Sequence, residues 1–151
     1  MSRTRVSGTL TLTEGDQRKS VDVTITAAQM LALNATPQSL VPAPGAGYAL
    51  VFDGAVVFLD YNSAAYAGIA AGEDLSIKYT DGSGLEVGAL EATGLLDATA
   101  DALRYVPPKA VAGFTPVANA ALVLHMLTGE VTTGDSPLKL RVYYRRIAAT
   151  L

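Results

Sequence analysis

The sequence has no cysteine and no tryptophan, a single histidine, and only 17% charged residues. Without cysteine there are no disulfides, no thiolate metal ligands and no cysteine nucleophile. A zinc centre would have to be built from one imidazole and carboxylates, a rare donor set. The one histidine, His125, lies in an apolar run with no neighbouring serine or carboxylate to mark a triad. It reads as a packed strand residue.

Soluble domains usually carry about a quarter charged residues, and half of this chain is hydrophobic. Two causes fit: apolar surface buried against a neighbouring subunit, or a high content of alanine. Long apolar runs are missing as well. The uncharged stretch Val23 to Phe52 is broken by Pro37, Pro42 and Pro44, and in Ala110 to Gly129 only Ala120 to Leu124 is continuously apolar. A membrane helix needs about 20 mostly apolar residues, so none is expected. The N-terminus enters an alternating pattern instead of an apolar core segment, and no signal peptide is expected.

The charge that is present is segregated. Residues 1–20 sum to +2, residues 137–151 to +4 and the intervening body to −9, giving −3 overall. Basic ends on an acidic body suit docking onto an acidic partner. The candidate docking residues are Arg3, Arg5, Lys139, Arg141 and Arg145. Solvated strand faces are the plainer explanation of the same residues.

The dominant periodicity is two. Val6, Gly8, Leu10 and Leu12 alternate with Ser7, Thr9, Thr11 and Thr13, and after the turn Glu14-Gly15-Asp16 a second strand runs through Val21, Val23 and Ile25. The pair predicts an N-terminal hairpin. Thr26 is placed to cap a short helix through Leu33. Tyr48 to Tyr61 is expected to be interrupted at the turn dipeptide Asp53-Gly54. Ala55 to Leu59 is apolar on both faces, which predicts cover on both sides from a sheet, a helix or a partner. A hairpin is expected around Asp81-Gly82-Ser83-Gly84, one or two helical turns over 94–101, and strands at 103–105 and 120–127. The clearest alternation is the last. Leu138, Leu140, Val142 and Tyr144 take one face, and Lys139, Arg141, Tyr143 and Arg145 take the other. Eight to nine short strands with turn signals about every ten residues, and one or two short helices, predict an all-β, jelly-roll-like sandwich or barrel. One domain spans residues 1–151.

Other chemical motifs are weak. Gly45-Ala46-Gly47 precedes a strand and lacks the third glycine of a dinucleotide cradle. Asp97 and Asp101 would share a face if 94–101 were helical, although a solvated helix end explains them more simply. Tyr143-Tyr144-Arg145-Arg146 mixes aromatic and basic groups, but alternation puts the two rings on opposite faces and the body is acidic. Nucleic acid is therefore not an expected partner. No cofactor and no catalytic residues are assigned, and the chain is not expected to be an enzyme.

The segments Thr26 to Pro37, Leu40 to Gly47, Tyr61 to Gly68 and Gly134 to Arg145 together resemble small structural proteins of tailed bacteriophages, specifically capsid cement, or decoration, proteins. The resemblance implies a small jelly roll or β-barrel on the outside of the virion head, made in the host bacterial cytoplasm. It implies a dimer or trimer that clamps neighbouring major capsid subunits, with no membrane association. A head–tail or tail component is the alternative within the structural class. A carbohydrate-binding or hydrolytic β domain is the alternative outside it.

Overall fold

The computed structural model describes residues 17–110 and 113–150. In chain order the elements are β1 (Lys19–Ile25), α1 (Ala27–Met30), β2 (Gln38–Val41), β3 (Tyr48–Leu59), β4 (Asp74–Tyr79), β5 (Glu86–Glu91), β6 (Ala102–Val106), β7 (Leu122–Met126) and β8 (Leu138–Ala148). They form two four-stranded sheets, ordered β1-β8-β3-β6 (sheet A) and β2-β7-β4-β5 (sheet B). All pairings are antiparallel. Strand one pairs with eight, two with seven, three with six and four with five. That is one long hairpin folded over on itself, the jelly-roll arrangement of two Greek keys.

Alternation sets the register, because a slip of one residue would turn every apolar side chain outward. Val21, Val23 and Ile25 stand opposite Val142, Leu140 and Leu138. From β3, Val57 and Leu59 join them, and sheet B supplies Leu75, Ile77, Leu122 and Leu124, all at most 2% exposed. The sandwich interior lined by Val57, Ile77, Leu124 and Leu140 has no cavity large enough for a water molecule. This is the close packing expected of a core.

The structure departs from the sequence expectations in four places. Asp53-Gly54 is a bulge and not a turn: β3 continues for 12 residues, and its pairing with β8 shifts register between Phe52 and Gly54. Gly54 takes φ +125°, and Asp53 is held by Arg145 on β8. Pairing with β8 on both sides of the bulge keeps the strand from reversing.

The helix stops after four residues despite a complete capping box between Thr26 and Gln29. The carboxylate of Glu130 accepts from Asn34 N (2.9 Å) and Ala35 N (2.7 Å), drawing the chain off the helical path. Residues 94–101 form turns without a helix. Asp97 accepts from Gly94 N and Asp101 from Tyr61 N, so the two carboxylates do not combine. Finally, among the described residues Ala55 to Leu59 has cover within the chain on one side. Ala55, Val57 and Leu59 are in the core, whereas Val56 and Phe58 stay partly exposed on the other face. The partner of β1 in the expected N-terminal hairpin, Val6 to Thr13, lies outside the described residues.

Candidate docking surface

The outer face of sheet A carries the docking candidates of β8, Lys139, Arg141 and Arg145, and divides into two halves. On the β1–β8 half, Asp22 stands opposite Arg141 and Thr24 opposite Lys139. On the β3–β6 half, Val56 stands opposite Tyr105 and Phe58 opposite Leu103. The first half is polar, the second apolar. Between them lies a shallow groove of about 350 Å³, lined by Thr24, Val56, Phe58, Arg141 and Tyr143 among others.

The period-two reading of β8 puts Lys139, Arg141 and Arg145 on one face, and the structure shows where their charge goes. Arg141 grips Asp22 through two bonds of 2.7 Å. Lys139 meets Asp60 at 2.6 Å, and Arg145 holds Asp53 at 2.9 and 3.1 Å. The Arg141 guanidinium lowers the Asp22 pKa below its ordinary value. The Arg141–Asp22 and Lys139–Asp60 pairs are exposed and contribute little to stability, whereas Arg145–Asp53 is partly buried.

A second basic group was not singled out by sequence reasoning. Because β1 runs antiparallel to β8, with Lys19 opposite Tyr144, the start of the first strand meets the end of the last. Arg18 lies 4.4 Å over the Tyr143 ring, and Arg146 lies 3.3 Å over the Tyr48 ring and donates to the Pro44 carbonyl. Arg18, Lys19, Arg145 and Arg146 thus all lie toward one end of sheet A, with Arg145 and its partner Asp53 on the outer face and Arg146 on the other. The regional charge totals held this signal, but only the pairing of the terminal strands brings the cations to the same end. Arg3 and Arg5 lie outside the described residues.

Sheet B's outer face holds a different polar network. Ser76 stands opposite His125, but the fully buried Ser76 hydroxyl donates to Glu86 (2.6 Å). His125, 8% exposed, has Nδ1 at 3.2 Å from the Lys78 ammonium. Lysine can only donate, so Nδ1 is the acceptor and the neutral ring carries its proton on Nε2. Burial, then the Lys78 charge, lowers the His125 pKa. Burial raises the Glu86 carboxyl, but hydrogen bonds from Lys109 and Ser76 outweigh it and the net shift is down. Each group is satisfied within the network. Among the described residues no set of three His, Asp or Glu is placed to hold a metal.

Asp135 ties two loops together at the base of the sandwich. Its carboxylate accepts from Ser63 Oγ (2.5 Å), Ala64 N (2.8 Å), Ser63 N (3.1 Å) and Asn62 Nδ2 (2.9 Å). These bonds, that from Ser63 Oγ first, lower its pKa from 3.8 to about 2. A carboxylate with a depressed folded-state pKa adds stability that is complete above its unfolded value and lost as pH falls through its folded one. The Asp135 contribution is therefore present above about pH 4 and disappears toward pH 2. Urea midpoints taken from pH 5 to 2.5 should fall more steeply for the wild type than for Asp135→Asn. Parallel profiles would show that this loop lock does not set the acid response.

Comparison of the chain with protein families, curated proteins and solved structures finds no match.

Proposed function

We propose that this protein is a structural component of a tailed-phage virion that binds the outside of the capsid and bridges neighbouring major capsid subunits. The observation that carries the reading is the basic end of sheet A. Arg18, Lys19, Arg145 and Arg146 all lie there on a chain whose net charge is −3. A localised positive end on an acidic body orients the protein toward an acidic surface and keeps its other faces away from it. The jelly roll supplies a stiff scaffold, and many modest contacts repeated over a shell add through multivalency. The sequence resemblance to decoration proteins points the same way.

The test is cosedimentation of the purified protein with undecorated heads and, separately, with isolated tails. Saturable binding to heads is expected. Binding to tails alone would move the protein to the tail, and binding to neither would overturn the proposal.

A further inference from the structure

On the outer face of sheet B two basic side chains are buried against each other. Lys78 is 7% and His125 8% exposed, and the ammonium lies 3.2 Å from Nδ1 of the ring. The turn that joins β4 to β5 closes over both. Its Gly82 carbonyl accepts from the Lys78 ammonium at 2.7 Å. Gly82 also lies so close to the ring that a Cβ on it would stand 2.7 Å from Nε2.

This arrangement requires a neutral imidazole. Protonated, Nδ1 would be a second cation at hydrogen-bond distance from the first and out of water. The carboxylates that act on the pair are committed elsewhere. Glu73 accepts from the N–H groups of Thr128 and Gly129, and Glu130 from those of Asn34 and Ala35. Asp81 accepts from Ser83, and Glu86 from Ser76 and Lys109. A backbone hydrogen bond at Asn34 and the charges of Glu73 and Glu130 favour the protonated ring, but burial and Lys78 outweigh them.

We infer that the Lys78–His125 pair is a pH-sensitive latch: a neutral His125 lets the Asp81–Gly84 turn close over Lys78, and protonation of His125 releases that turn. The turn is the part that gives way. β4 and β7, which carry the two side chains, are interior strands of sheet B. The N–H groups of Ser83 and Gly84 bond only within the turn, to Asp81. Opening returns both cations to water, where each is stable in its charged form. The released ring titrates near its ordinary value of about 6.5, and the latched ring titrates lower. The latch is therefore fully closed above the released value and weakens as pH falls toward the latched one, by up to about tenfold per pH unit. The inference is independent of the capsid reading, since it concerns the folded chain alone.

NMR of the full chain between about pH 8 and 5 is the test. His125 is the one histidine, so its ring resonances are unambiguous. Their midpoint should lie below about 6.5 and should rise in Lys78→Met. Over the same range, amide-exchange protection at Tyr79 and Gly84, which donate to Leu85 and Asp81, should fall in the wild type while the β3–β8 amides keep theirs. In His125→Gln, whose side-chain oxygen can accept from Lys78 at any pH, that fall should vanish. A wild-type midpoint at or above the ordinary value would overturn the latch. So would protection at Tyr79 and Gly84 that is constant with pH, or a loss shared equally by β3 and β8; these readouts need no variant to fold.

Discussion

Gly134→Ala should destabilise the fold by about 3 kcal/mol or more. Gly134 has φ +128°, a conformation in which an L side chain is strained, and a Cβ there would fall inside contact distance of the Tyr66 ring. That ring cannot step aside. Tyr66 is 2% exposed, its hydroxyl donates to the Ser136 carbonyl at 2.5 Å, and its backbone N–H is bonded to Leu96. Strain and overlap therefore act together. For a domain of this size the loss corresponds to a melting temperature lower by roughly 10 °C. Gly129→Ala is the control. A Cβ there meets nothing within 4 Å and its φ is not positive, so its melting temperature should stay within a degree or two, about 0.5 kcal/mol. Equal melting of the two variants would contradict the account of the Gly134 turn.

Leu124→Ala should cost about 3–4 kcal/mol, the range for a buried leucine whose surroundings cannot close the cavity. Leu124 is 2% exposed and projects between the sheets against residues of both, among them Val57, Ile77 and Leu140. Those neighbours belong to paired interior strands, which limits collapse into the space. Leu103→Ala, on the outer face, should change the stability of the isolated fold by no more than about 0.5 kcal/mol. Urea denaturation of the two variants separates the roles directly. A large loss at Leu103 would mean that this exposed side chain helps to maintain the fold. A small loss at Leu124 would mean that the sandwich interior is looser than its packing indicates.

Much of this architecture is legible in the sequence because it is local. The alternation from Leu138 to Arg145 assigns inner and outer faces of β8 correctly, and the many short strands specify a β sandwich. What fails is what tertiary pairing decides. Asp53-Gly54 has the composition of a hairpin turn, yet continuous pairing with β8 makes it a bulge. Thr26 and Gln29 form a helix start that Glu130, about a hundred residues away in sequence, cuts short. Ala55 to Leu59 announces two apolar faces, but only the fold reveals that sheet B covers one of them.

The same division holds at the candidate surface. Lys139, Arg141 and Arg145 share a face by periodicity alone. Their carboxylates Asp60, Asp22 and Asp53 are remote in sequence, as are Arg18 and Lys19 from Arg145 and Arg146 at the same end of the sheet. Those associations exist because the first and last strands are neighbours, which no local pattern encodes.

The proposed function requires that the basic end of sheet A docks on capsid carboxylates. Binding of the wild type and of Arg18→Glu/Lys19→Glu to undecorated heads, each at low and high salt, tests it most directly. Both substituted side chains are exposed at the start of β1, which is an edge strand among the described residues, so the variant should stay folded. Exposed charges are screened beyond about 8–10 Å at physiological ionic strength. Wild-type occupancy should therefore fall as salt rises, and the variant should bind weakly with little dependence on salt. Equal occupancy in all four conditions would contradict the electrostatic dock.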